Sequence, residues 1–330
     1  MEYRVLGRSG LRVSALGFGC GNIGGLMIRG TPVERERAVA RALELGVNFF
    51  DTAPAYGDGV SEEHLGQALQ ALRPTCLVAT KVRLGPAGLA DPTTTVTRSL
   101  ETSLRRLRRD RVDLLQLHDP IRRVRGDGQP GTTEVLEQIL PAFEALRRAG
   151  KVGFVGMTAI GETPAVHRIV GSGAVDTAQV PFNLLNPSAG YAVPRGFPTQ
   201  DLDRLLAPAQ AHGVGVVVIR VLAAGALSGQ LGRHPIAGSN VDPIASGPDY
   251  ATDVERTRAL QVLVREGHAA SLVEAALRFP LASSAVSTVL LGYSSEEHLE
   301  TAAAAIGKGP LSPAALARVE ACWGEMASRH

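Results

Sequence analysis

The sequence predicts an α/β fold, a closed (β/α)8 barrel of the TIM type, on three observations. Short apolar runs alternate with helical stretches eight times, the signature of parallel βαβ units. The runs are continuously apolar, as suits strands covered on both faces. An acid, Asp51, closes one of them, and a phenol, Tyr56, sits on the loop that follows. In parallel α/β proteins, chemistry is placed at the carboxyl ends of the strands. At 330 residues the chain could hold two ordinary domains, but a barrel of this length is commonly one. No Pro/Ser-rich linker or composition break divides it, so residues 1–330 are read as one domain.

In chain order, Tyr3 to Ser14 reads as a β-hairpin with Ser9-Gly10 in its middle. The strand candidates are Ala15–Gly19, Val47–Asp51, Cys76–Lys81, Val112–His118, Val152–Met157, Thr177–Val180, Val214–Ile219 and Val286–Leu290. Helical stretches fall at about 33–45, 61–72, 93–108, 134–149, 162–171, 200–212, 256–279 and 295–306, with a further one at about 312–328. Ser61 reads as an N-cap, with Glu62 and Glu63 in the first turn at the positive end of that helix. Three Gly/Pro-rich connections, Arg122–Gly131, Pro187–Pro198 and Leu231–Asp249, are longer than most. Each follows a strand, which puts it on the catalytic face, where it could shape a substrate pocket.

Composition narrows the partners. Hydrophobic residues make up 45% and charged ones 20%, as in a soluble globular protein with ample core. A formal charge of +2 argues against a nucleic-acid or membrane partner. No apolar run is long enough to span a bilayer, and Met1-Glu-Tyr-Arg is no signal peptide. Cys20, Cys76 and Cys322 are odd in number and widely spaced, which suggests reduced thiols in a cytoplasm. No residue is assigned to a metal, and nothing in the pattern specifies an oligomeric state.

Only three of the 34 basic residues are lysines, and one of them, Lys81, ends the apolar strand Leu77-Val-Ala-Thr-Lys. Burial there favours the neutral amine unless an acid compensates, and Asp51, ending the neighbouring strand, is placed to do so. His118 ends a further strand, where alternation turns Gln116 and His118 one way and Leu115 and Leu117 the other. Alone, the lysine could be a surface residue and the histidine a satisfied rim residue. Together with Asp51 and Tyr56, all at strand ends, they read as a site.

At Asp51-Thr-Ala-Pro-Ala-Tyr-Gly the chain resembles the aldo-keto reductase family. The resemblance runs from Leu6-Gly-Arg-Ser-Gly-Leu-Arg-Val-Ser to Leu291-Gly-Tyr-Ser-Ser-Glu-Glu-His-Leu. It implies that the N-terminal hairpin closes the bottom of the barrel, and that Asp51, Tyr56, Lys81 and His118 form the catalytic tetrad. Carbonyl reduction needs a proton for the developing alkoxide while a nicotinamide supplies hydride. A free tyrosine, with a pKa of about 10, is a reluctant acid–base group. A lysine ammonium held charged by Asp51 would favour the phenolate, and His118 would orient the carbonyl oxygen.

The resemblance also implies cofactor contacts. Thr158, in Gly156-Met-Thr-Ala, and Gln179, in Ala178-Gln-Val-Pro-Phe-Asn, fall at the nicotinamide carboxamide; the family usually has Ser-Asn where this chain has Thr158-Ala159. The stretch from Ile219 through Arg220, Leu222 and Gly225 corresponds to the loop over the pyrophosphate, with Ile219 where an aromatic is often found. Gly292, Ser294 and His298 lie in the adenosine segment, where His298 and Ala302 replace Gln or Arg and Asn. The segment 231–249 is the candidate flap over the cofactor. Gly19-Cys20-Gly21-Asn-Ile-Gly matches the G-x-G-x-x-G pattern of a Rossmann turn, but Thr31-Pro32 puts the next helix start well beyond Gly24. These glycines are read as a tight loop near the nicotinamide.

The resulting expectation is an oxidoreductase that moves hydride reversibly between NADP(H), with NAD(H) possible, and a small-molecule aldehyde or ketone. The alternatives are an aldose or sugar dehydrogenase, and a cofactor-binding sensor or regulatory subunit.

Overall fold

The computed structural model describes residues 1–239 and 241–328. Strands β1 (Tyr3–Val5) and β2 (Arg12–Ser14) form the antiparallel hairpin. Eight parallel strands then close the barrel: β3 (Leu16–Gly19), β4 (Phe49–Asp51), β5 (Leu77–Val82), β6 (Val112–Leu117), β7 (Val152–Thr158), β8 (Thr177–Pro181), β9 (Gly215–Ile219) and β10 (Val286–Gly292), with β10 pairing β3 to complete the ring. The hairpin plugs the bottom. Leu6, Leu11 and Val13 pack into the lumen against Phe49, Ala79, Leu114 and Val217, forming a small core separate from the main one. Burial of each such side chain stabilises by about 1.5–3 kcal/mol. The plug sits close because Gly7, at φ +51, has no Cβ; one built there would lie 2.2 Å from the Gly215 nitrogen.

Outward-facing residues of the same strands, such as Leu115 and Leu117, join Val96, Leu100 and Phe143 in the larger core beneath the helices. Local chemistry sets the helix starts. Thr31 and Glu34 form a capping box before Pro32–Glu44, and the Asp91 side chain accepts from the Thr94 amide before Pro92–Leu107.

Several expected boundaries shift, each for a visible reason. β4 begins at Phe49 rather than Val47, because the Asn48 amide donates to Ser14 Oγ of the hairpin instead of the ladder. The stretch 134–149 starts at Thr132 and passes through a π-helical segment, Val135–Ile139, before Leu140–Arg148. Pro141 has no N–H for the regular helical bond at that point. The expected helix 200–212 shrinks to Leu206–Ala211, since Asp203 and Arg204 take left-handed φ of 46° and 53°. There the Asp201 carboxylate accepts from the Asp203 amide, a local bond that competes with helix. The stretch 256–279 begins earlier, at Tyr250 behind an Asp249 cap, and is broken into Tyr250–Leu260, Val262–Arg265 and Leu272–Arg278. Gly267, at φ +75, stops the chain, and Ser271 caps the last piece.

Candidate active site

Strand register builds the site at the carboxyl mouth. Asp51 pairs with Gly19 on one side and Ala79 on the other, so Lys81, two residues past Ala79, shares the lumen face one step nearer the mouth. Lys81 aligns with Gln116, Gln116 with Gly156, and Thr158 with Gln179. The Lys81 side chain is fully buried and uses its ammonium on three partners. These are Asp51 Oδ2, the Thr52 carbonyl at 2.9 Å and the Tyr56 hydroxyl at 3.2 Å. The other carboxylate oxygen, Asp51 Oδ1, accepts from Gln116 Nε2 at 3.2 Å and from Gln179 Nε2 at 2.5 Å. His118 meets the Tyr56 ring edge-on, with centroids 5.7 Å apart.

Burial and charge fix the protonation states. Burial alone would depress Lys81, but Asp51 and Tyr56 outweigh it and hold the amine above its ordinary range, so it stays charged. Tyr56 is pulled both ways, with Lys81 acting on it in the expected direction. Burial raises it more than Lys81 and Arg220 lower it, and the phenol is protonated at neutral pH. His118 is pushed down to about 3, first by burial and then by Lys81 and Arg83, so its imidazole is neutral. Its Nδ1 is buried without a partner among the described residues. The Cys20 thiol is driven up by burial and by Asp51, which leaves it inert as a nucleophile.

The Tyr56 loop is held from below by groups whose roles differ from expectation. Ser61 is not the N-cap: the helix runs Val60–Leu72 behind Gly59 at φ 94°, and Ser61 is buried in its first turn. Its hydroxyl donates to the Cys20 carbonyl at 2.9 Å and pairs with Thr52 Oγ1 at 2.8 Å, tying the β3 and β4 loops to the helix. Glu62 does not face solvent at the helix end. It accepts from Thr80 Oγ1 at 2.6 Å and pairs with Arg106 at 3.2 Å, which anchors the helix to β5 beside Lys81. Gly21 lies flat against the phenol, where a Cβ would come within 3.4 Å of Tyr56 Cζ.

The glycine-rich turn also differs in detail. A one-turn helix, Leu26–Arg29, follows it before the helix that opens at Pro32. Gly24 instead packs on the last strand loop, where a Cβ would lie 2.3 Å from the Tyr293 nitrogen. Ser294 Oγ donates to the Gly24 carbonyl at 2.6 Å, so that hydroxyl is already committed as a donor. Ser295 caps Glu296–Gly307, accepting from the His298 amide, and the His298 ring meets His234 edge-on at 5.7 Å.

Beyond β9, Ile219 leads into Arg220, which takes a left-handed φ of 57°. The Asn183 side-chain amide donates to the Arg220 carbonyl at 2.9 Å, and the guanidinium donates to the Asp242 carbonyl at 3.0 Å. Leu222 and Gly225, at φ +109, begin the tight turns of Ala223–Ser228. From there the described residues of the 231–249 segment, which leave out Asn240, reach the glycine-rich loop through the Gly238 amide, which donates to the Ile23 carbonyl at 3.1 Å, while Arg233 ties back to the Ala224 carbonyl at 2.7 Å. The four expected tetrad residues therefore converge with Gln179. Gly292 and Ser294 sit beside Gly19 and Gly24, and His298 lies further out with His234. Sequence reading placed Gln116 on the same face as His118 and Glu62 in the first turn of its helix without giving either these partners, and it missed Asn183 and His234. A polar side chain inside an otherwise apolar strand was the available signal for Gln116.

No helix among the described residues is long and apolar enough to cross a membrane. A closed eight-stranded barrel with a buried ionisable cluster at its carboxyl mouth places the chain among the α/β-barrel enzymes. A sequence profile of the Aldo/keto reductase family matches residues 15–324, and the chain belongs to that family of oxidoreductases. It is 30% identical to L-galactose dehydrogenase of Arabidopsis thaliana, over 93% of this chain and 88% of that protein. It is 28% identical to a putative voltage-gated potassium channel subunit beta of Schizosaccharomyces pombe, over 91% and 86%. Among solved structures, the holo form of aldo-keto reductase AKR11C1 from Bacillus halodurans superposes with a TM-score of 0.72 at 25% identity, covering 98% of this chain and 96% of that one.

Proposed function

We propose that the whole chain acts as one catalytic domain that reversibly reduces an aldehyde or ketone with NADP(H) in the cytoplasm, with Tyr56 as general acid in reduction and general base in oxidation. The observation that carries this is the Asp51–Lys81–Tyr56 chain, in which a charged amine lies 3.2 Å from a protonated phenol. Among the described residues Tyr56 is the phenol in contact with that pair. Lys81 stabilises the phenolate as the proton leaves, and Asp51 keeps the amine charged while burial keeps water's competition low. A neutral His118 can donate one hydrogen bond to the carbonyl oxygen and hold it beside Tyr56.

The residues present fit a nicotinamide dinucleotide. Thr158 Oγ1 is buried without a partner among the described residues, and Gln179 lies level with it in the sheet; together they offer donors and an acceptor suited to a carboxamide. A bound nicotinamide supplies or accepts the hydride. Gly19, Cys20, Gly21 and Asp51 would line the wall beside it, while Ile219, Arg220, Leu222 and Gly225 with Gly292, Ser294 and His298 would hold the rest. Family likeness favours NADP(H): the mouth of Glu296–Gly307 with Ser295 and His298 offers a 2′-phosphate donors, while Glu296 and Glu297 in its first turn oppose one, so the preference is smaller than in arginine-bearing relatives.

A second reading, operation as a sugar dehydrogenase, is supported by the likeness to L-galactose dehydrogenase and uses the same residues in the oxidative direction. A regulatory role is the reading that likeness to a channel subunit would favour, but the complete Asp51–Lys81–Tyr56 chain supports catalysis. Turnover of a generic aldehyde separates the two. Tyr56→Phe should lower reduction by roughly 10²–10⁴-fold with cofactor affinity near wild type. Activity within a few-fold of wild type would remove Tyr56 from the mechanism.

A further inference from the structure

Gln116 is fully buried within β6, on the lumen side of a strand otherwise occupied there by Leu114. Its Nε2 reaches Asp51 Oδ1 at 3.2 Å, although β6 and β4 are separated by β5 in the barrel. Its Oε1 is buried and has no partner among the described residues. An unpaired buried amide oxygen destabilises, and methionine or leucine would fill the same space without that cost. Residues that break a local rule in this way mark functional positions. The space is provided by β7, where Gly156 stands level with Gln116; a Cβ there would lie 3.3 Å from Gln116 Cγ and 2.2 Å from Thr177 Oγ1.

Asp51 Oδ1 has two amide donors, Gln116 and Gln179. In the function proposed above Gln179 also serves the carboxamide. Gln116 has Asp51 as its one side-chain partner among the described residues. We propose that Gln116 is a positioning residue for the reaction: it holds Asp51 Oδ1 so that Oδ2 stays directed at Lys81 and the ammonium keeps its full charge beside Tyr56. This inference rests on the assignment of Tyr56 as the acid–base group. Without the Gln116 bond the carboxylate becomes more basic and draws the shared proton away from Lys81. The phenolate then loses part of its compensating charge, and Tyr56 titrates at higher pH.

The test is the pH profile of alcohol oxidation, which needs the phenolate. Gln116→Met should move the Tyr56 limb up by about one pH unit, so that oxidation below the limb falls about tenfold. KM for NADP+ should be unchanged, and the thermal midpoint serves to show that the variant is folded. Gln116→Glu keeps the shape, sets a second carboxyl against Asp51 and should move the limb up as well. It also supplies the measurement if Gln116→Met fails to fold. A structural role alone would lower the midpoint and leave the limb where it is. Limbs unmoved in the folded variants therefore overturn the inference, whatever happens to kcat. Tyr56→Phe, measured in parallel, separates the two levels. If it stays active, the assignment of Tyr56 fails; if it is inactive while the Gln116 limbs are unmoved, only Gln116 is misassigned.

Discussion

Replacing Lys81 with methionine removes the charge and keeps most of the side chain's length and apolar stem. Two effects on Tyr56 follow, and both have the same sign. The phenolate loses a donor 3.2 Å away, and the Asp51 charge, which already raises Tyr56, is left unopposed. A hydrogen bond to a charged group contributes about 1.5–3 kcal/mol. At about 1.4 kcal/mol per unit this moves the phenol up by roughly one to two pH units. Oxidation measured well below the limb should then fall about 10–100-fold, while reduction, which uses the protonated phenol, should lose less. The assay is kcat for an alcohol substrate from pH 6 upward, in wild type and variant. Stability supplies a second readout. With Lys81 gone, a buried Asp51 is unpaired, a defect that typically costs about 3–5 kcal/mol. Its folded pKa then lies further above the unfolded value, so stability is greatest at low pH and is lost as pH rises through the folded pKa. Acidifying the variant should therefore raise its thermal midpoint. An unmoved oxidation limb at near-normal rate would refute the pairing of Lys81 with Tyr56.

His118 titrates at about 3 in the folded chain against an ordinary 6.5, so the stability it contributes is complete above 6.5 and is lost as pH falls through the folded value. Between those limits the slope is about 1.4 kcal/mol per pH unit, and His118→Gln should flatten the thermal midpoint measured from pH 6 to pH 4. Thr158→Val removes an unpaired buried hydroxyl, so calorimetry should give an equal or higher midpoint while titration gives cofactor binding weaker by about tenfold. Tighter or unchanged cofactor binding would take Thr158 out of the carboxamide site. kcat/KM for NADPH and NADH with one aldehyde should favour NADPH, more at pH 6 than at pH 8 and less in high salt. Burial and His234 both hold His298 below the ordinary histidine range, so the gain should come on the acid side of neutrality. A clear NADH preference at both pH values would overturn the cofactor assignment.

The barrel was legible because its determinants are local and repeated. Apolar runs, Gly/Pro breaks and cap residues state each element, and a closed sheet follows from their alternation. Where local bonds competed with the pattern, reading failed: Asp201 unwinds the start of 200–212, and Gly267 with Ser271 splits 256–279. The site was legible to the extent that its residues end strands. Asp51 closes β4, Lys81 lies one residue from the end of β5, His118 directly follows β6, and Tyr56 comes one loop after Asp51. What could not be read is which partner each side chain finds across the lumen. Ser61 looks like a cap in one dimension and is a tie between two loops in three. Gln116 reaches over an intervening strand, and His234 finds His298 from a long loop, pairings that no sequence separation encodes. The protonation state of Tyr56 was likewise not legible, because the degree of burial that outweighs Lys81 exists only in the closed barrel.

The buried Asp51–Lys81 pair bears on why this interior is built as it is. Taking two charges out of water costs several kcal/mol each, and their attraction offsets this only when geometry and further hydrogen bonds are good. Here the additional bonds are present: Thr52 and Tyr56 complete the ammonium, and Gln116 and Gln179 complete the carboxylate. Even so, apolar residues of like volume would leave such a core at least as stable. Below this layer the lumen is built that way, with Leu6, Val13, Phe49, Ala79, Leu114 and Val217 packed on one another. The polar layer above it is therefore carried at some expense of stability. Its members share one property that packing does not require. The hydrogen bonds from Gln116 and Gln179 to Asp51, and from Lys81 to Asp51 and Tyr56, form one chain that ends at a single hydroxyl, Tyr56 Oη. A layer selected for stability would have no reason to converge on one atom at the mouth; a layer selected to move a proton at that atom would.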